Sequence, residues 1–186
     1  MKKFMICSMM CLMALAAKAQ VLTSATVDHA YLNAIKESGD KFAYEKEHND
    51  NGDITTMFVY QKKTRRKGAV DLKPVCRYQY VYTADGLLSS CTKSVWRKGD
   101  WQQSGRHAYT LAENAYTVEF SLWNKKKADY DLPLGRMTYT LRPNESTESI
   151  ACYYRHHKNA PLELEWEVVT ECQPINMDNY LTDVNR

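Results

Sequence analysis

The sequence is poor in glycine, with seven in 186 residues, and those few stand mostly at turn-like positions. No glycine-rich phosphate loop can be drawn from them, which removes the usual nucleotide-binding signatures. There is no G-x-S-x-G, so the commonest serine nucleophile is missing too. Beyond the first nineteen residues no Cys–Cys or His–His pair has the two-to-four residue spacing that converges on zinc, and Cys152 with His156 is a spacing without a supporting motif. His156 and His157 are adjacent, and adjacent strand residues point to opposite faces. After the first nineteen residues no apolar run approaches the ~20 residues of a membrane helix. No cofactor is implied by any of these patterns.

Those first residues read MKKFMICSMMCLMALAAKAQ. Lys2 and Lys3 form a basic start, Phe4 to Ala16 is a short apolar stretch, and Ala17-Lys18-Ala19 is a small-x-small cleavage pattern. This is the form of a secretory signal over residues 1–19, cut before Gln20. It predicts export to the periplasm or the cell surface. Neither Cys7 nor Cys11 follows the small residue that a lipid anchor requires. Cutting removes Lys2, Lys3 and Lys18 but no acid, so 25 basic residues fall to 22 against 22 acidic. The apparent basicity therefore belongs to the signal, and nothing in the charge points to nucleic acid.

What is present is tyrosine, thirteen in all, and a repeat. Arg77-Tyr-Gln-Tyr80-Val-Tyr82-Thr-Ala-Asp85 recurs as Arg106-His-Ala-Tyr109-Thr-Leu111-Ala-Glu-Asn114 and as Arg136-Met-Thr-Tyr139-Thr-Leu141-Arg-Pro-Asn144. A degenerate earlier copy begins at Lys41. After each turn a return strand ends in aromatics: Phe58 and Tyr60, Trp96, Trp123, and Tyr153-Tyr154. One hairpin per period of about thirty residues is the mark of a repeat architecture. The predicted fold is all-β, an antiparallel meander of about nine strands built from repeated hairpins, curved or folded into two layers.

Period-2 alternation assigns the faces. Tyr78, Tyr80, Tyr82, His107, Tyr109, Leu111, Met137, Tyr139 and Leu141 share a buried side, and the Arg residues with Gln79, Val81 and the threonines share a largely wet one. Residues 20–40 precede the repeats, with Val27, Tyr31 and Ile35 spaced for a short helix and Gly39 behind them. The hairpin domain spans 41–175, and 176–186 is a polar tail. Four cysteines survive cleavage, all on the apolar face by parity. A two-residue loop at Asp85-Gly86 places Tyr80 opposite Cys91 and Cys76 out of reach of Cys91. A cross-core bridge such as Cys91–Cys152 and buried thiols both fit.

The hairpins resemble the tyrosine–aspartate repeats of large bacterial surface and toxin-shell proteins. Across most of the mature chain they are similar to a family of small exported proteins from gut Bacteroidales that carries a domain of unknown function. That resemblance implies an exported all-β domain and no catalytic residues. Function is then sought at the hairpin tips, where Trp96, Trp101 and Trp123 could stack on sugar rings or grip a partner chain. Cross-strand pairing that only steadies the turns is the competing account. The expectation is a non-catalytic binding or structural module of the cell envelope, with a glycan or protein partner. The alternative is a small secreted hydrolase using Glu163 and Glu165 on the strand Leu162–Val168, whose glutamates share one face by alternation and lie ~7 Å apart.

Overall fold

A computed structural model of the chain describes residues 21–65, 68–142 and 147–169. The signal expected over 1–19 and the tail expected at 176–186 lie outside them, as does Cys172. One helix, α1 (Ser24–Ser38), precedes ten strands: β1 (Phe42–His48), β2 (Ile54–Thr64), β3 (Val70–Tyr82), β4 (Leu88–Arg97), β5 (Asp100–Ala112), β6 (Ala115–Asn124), β7 (Asp129–Tyr130), β8 (Gly135–Leu141), β9 (Thr147–Tyr154) and β10 (Glu163–Val169). Nine of them follow one another in a single open antiparallel sheet, β1-β2-β3-β4-β5-β6-β8-β9-β10. The tenth, β7, pairs back on the end of β6 inside the 124–133 loop. The all-β meander read from the repeats is therefore the fold.

The register follows the alternation closely. Tyr80 pairs with Cys91 as expected, but the turn between them is different. Thr83 N–H donates to Leu87 O at 2.8 Å and Gly86 N–H to Thr83 O at 3.0 Å, which closes a three-residue loop. Gly86 takes a left-handed conformation (φ 75°), the role glycine fills in a turn ending in a bulge. A register slip between Val81 and Tyr82 absorbs the extra residue, so the tyrosines keep their face.

The tyrosine face holds the core. Val27 of α1 packs with Ile54 and Leu88, and Tyr31, Tyr80, Tyr82 and Tyr109 close round them. Burying a side chain such as Ile54 stabilises by roughly 1.5–3 kcal/mol. Thr26 caps the helix start, its hydroxyl accepting the Thr23 N–H at 3.2 Å. The helix lies mainly against β1 and β2, with Val27 reaching Leu88 of β4, and Ile35, expected on its apolar stripe, is 44 % exposed. The rest of the cover is the preceding Val21-Leu22, packed on Tyr116, Val118, Leu141 and Tyr139 and tied by Leu88 N–H to Leu22 O at 2.8 Å. Cys76 and Cys91 are buried on this face as free thiols, so the Cys91–Cys152 bridge is not made. Burial pushes the Cys91 thiol up to about 12 and raises Cys76 as well, which leaves both inert at neutral pH.

The opposite face departs from expectation. It is not simply wet, because Thr56, Ser94, Ser121 and Ala151 on it are buried. The physical reason is coiling. Register slips at Val59/Tyr60 and Lys93/Ser94 add local right-handed twist, and the hairpin tips curl back over this side of the sheet.

Candidate functional site

The Trp residues singled out by sequence sit on those curled tips. Trp96 and Trp101 are direct cross-strand partners on β4 and β5, in edge-to-face contact with centroids 5.0 Å apart. The turn joining them has Lys98 and Gly99 both at positive φ (54° and 83°). That is the primed geometry whose twist matches the flanking strands. The tip bends across β3, so that Trp101 also meets Phe58 of β2 at 6.0 Å. Arg77 of β3, the cross-strand partner of Phe58, has its guanidinium carbon 5.3 Å from the Trp101 ring centre.

The next unit repeats the construction. Trp123 pairs with Tyr130 across β6 and β7, again edge to face, at 5.1 Å. Arg106 lies 4.4 Å from the Tyr130 ring centre. Asn124 shapes the loop, its side-chain oxygen accepting Lys126 N–H at 3.0 Å while its amide donates to Asp131 at 2.8 Å. That hydrogen bond holds the Asp131 carboxyl below its usual range. Two polar links span the gap between the tips: Tyr130 O–H to Gln103 at 3.2 Å and Lys125 Nζ to Gln102 at 2.9 Å. The third Arg of the repeat, Arg136, instead binds Glu119 at 2.6 and 2.8 Å.

The structure thus brings Trp96 and Trp101 together and places Trp123 in a second, equivalent cluster one unit along. All three are half-buried. Sequence reading missed Tyr130 and the part played by Arg77 and Arg106, which it left on a solvated face. A signal was available: each Arg meets an aromatic the same distance downstream, from 77 to 101 and from 106 to 130.

The strand carboxylates do not form the row that alternation suggested. A bulge between Leu164 and Trp166 breaks the period, so Glu163 and Glu165 gather on His156, at 4.0 and 2.9 Å, while Glu167 pairs opposite Ala151. Glu163 and Glu165 are 61 % and 40 % exposed, which gives neither the shielding that raises a catalytic acid's pKa. Among the described residues no His, Cys, Asp or Glu cluster could hold a metal ion, and no helix is long and apolar enough to cross a membrane.

Fold and site together define an open, tyrosine-cored β-meander that carries Trp-containing aromatic clusters on its second face. The chain belongs to the family of unknown function DUF3836, whose sequence profile matches residues 4–141, a span that holds both clusters. It is similar to a protein with unknown function from Bacteroides fragilis NCTC 9343, at 22 % identity and a TM-score of 0.60, over 73 % of this chain and 96 % of that one. That likeness shows the shared fold. Two structures of DUF3836 family proteins are also similar. One is from Bacteroides vulgatus ATCC 8482 (22 % identity, TM-score 0.48, 53 % of this chain and 98 % of that one). The other is from Parabacteroides distasonis ATCC 8503 (21 %, 0.45, 55 % and 92 %). No curated protein matches the chain.

Proposed function

We propose that the chain is exported and serves as a non-catalytic binding module of the bacterial envelope, holding a glycan against its curled aromatic tips. The observation that carries this reading is the duplicated cluster. Two successive units each present an aromatic pair with a cation beside it, on one face of the sheet. Half-buried indole and phenol rings flanked by amides and cations suit the apolar face and hydroxyl rim of a sugar ring. The basic start, short apolar stretch and Ala17-Lys18-Ala19 cleavage pattern support the export half of the proposal.

Indole N–H resonances of the purified chain supply the test, because its four Trp report separately once assigned by single Phe substitutions. Titration with a panel of envelope polysaccharide fragments is expected to move the Trp96, Trp101 and Trp123 signals and leave Trp166, on β10, in place. A panel that moves none of the three sinks the glycan reading. A protein partner that moves them where no glycan does would replace it.

A further inference from the structure

Four buried side-chain polar atoms among the described residues have no protein partner: Arg77 Nε, Ser94 Oγ, Arg106 Nε and Tyr116 Oη. Three of them belong to one spot. Arg77 pairs across β3–β4 with Ser94, and Arg106 pairs across β4–β5 with Thr92, two residues from Ser94 on the same face. Ser94 is wholly buried between two arginines that lie on the strands either side of it. Trp101 stands over one of these arginines and Tyr130 over the other.

Among the described residues, no carboxylate comes within ion-pair distance of Arg77 or Arg106. The nearby acids are already engaged, Glu119 by Arg136 and Asp131 by Asn124, Lys127 and Lys158. Ring faces compensate a cation only in part, and unmade hydrogen bonds on desolvated groups are costly. The sheet therefore keeps two guanidinium groups, each with an unpartnered buried Nε and no carboxylate partner among the described residues, on a chain whose basic and acidic residues balance once residues 1–19 are set aside.

Resting on the glycan reading above, we infer that this spot selects an acidic sugar, the Arg77 and Arg106 guanidinium groups receiving its carboxylate while its ring stacks beside Trp101 and Tyr130. Both arginines are half-buried, so each stem is fixed in the sheet while part of the side chain meets solvent. A planar guanidinium takes a carboxylate through two parallel hydrogen bonds, a fit that an uncharged sugar cannot match.

The probes are a hexamer of galacturonic acid and its methyl ester, which differ in charge and little else. Calorimetric titration of the full chain is expected to show the acid binding at least ten-fold more tightly than the ester. The double variant Arg77→Gln/Arg106→Gln should bind the acid no better than the ester, with its fold checked by circular dichroism. Should that variant fail to fold, the comparison of acid with ester on the wild-type chain decides alone. Equal binding of acid and ester overturns the charge selection while leaving the glycan reading standing. Absence of binding by any saccharide removes both. Poly-glutamate that competes as well as the hexamer overturns the sugar in favour of an acidic peptide.

Discussion

Arg77 of β3 lies against the ring of Trp101 of β5, its guanidinium carbon 5.3 Å from the ring centre, although β4 runs between the two strands. Arg106 and Tyr130 stand in the same relation one unit later, at 4.4 Å. The separation is twenty-four residues in both, from 77 to 101 and from 106 to 130. So the Arg that opens each of these units is held by the tip that closes it. This makes the repeat a mechanical unit as well as a sequence string. Both of these hairpins bury tyrosines on one side of the sheet and fold an aromatic pair over the other.

A first consequence separates tip aromatics by their structural weight. Trp101 touches Trp96, Phe58 and Arg77, whereas Trp166 on the terminal strand is 45 % exposed. Trp101→Ala is expected to lower the unfolding free energy by about 2–4 kcal/mol in urea titration. Trp166→Ala should cost less than about 1 kcal/mol. Equal losses would mean that the tip is not packed on the sheet. Because Trp101→Ala unsettles the fold, loss of binding in that variant alone would say nothing about ligand contact. Resonance shifts in the intact chain avoid the difficulty.

Much of this was legible in the sequence, and the exceptions share a cause. Tyrosines on alternate residues predicted the core face, and the pairing of Tyr80 with Cys91 followed from counting alone. Alternation is local, and it survives wherever the ladder is regular. It fails at bulges, as at Leu164/Trp166, where one irregular step drew Glu163 and Glu165 together on His156 and turned Glu167 away. It also says nothing about coiling. Whether the arginine side stays wet depends on twist accumulated over several strands, which no single strand's pattern encodes. The thiol state of Cys91 was open for a similar reason, since it turned on whether distant strands met across the core.

A second consequence concerns acid. His107, on the tyrosine face, pairs with Cys91 and Phe120, with the Phe120 ring 4.9 Å away. Burial, aided by the charge of Lys93, lowers its pKa to about 4 from an ordinary 6.5. A histidine held neutral in the folded chain takes its proton first in the unfolded one. Stability is therefore full above about pH 6.5, declines as the pH falls from there toward 4, and loses up to about 3 kcal/mol from this residue. Urea midpoints measured at pH 7, 5.5 and 4.5 should fall in order. His107→Phe should flatten that part of the profile, and an unchanged slope would show that other groups set it.

The last consequence turns on two strand glycines with opposite expected signs. Replacing glycine by alanine inside a strand ordinarily stabilises by roughly 0.5–1 kcal/mol, because the unfolded chain loses freedom. Gly135, at the start of β8, should follow that rule. A methyl group there would meet Tyr153 O at 3.5 Å and Tyr154 at 3.9 Å, ordinary contact distances. Gly105 should not. It sits beside the slip at Lys93/Ser94, and a methyl group would come within 2.9 Å of the Phe120 ring and 3.2 Å of the Ser121 carbonyl. The carbonyl is fixed in the β5–β6 ladder, and displacing Phe120 presses it toward His107. Overpacking of this kind costs about 1–3 kcal/mol. Gly105→Ala is thus expected to lower the urea midpoint while Gly135→Ala holds or raises it. The reverse order would mean that Phe120 and the Ser121 carbonyl do not crowd Gly105.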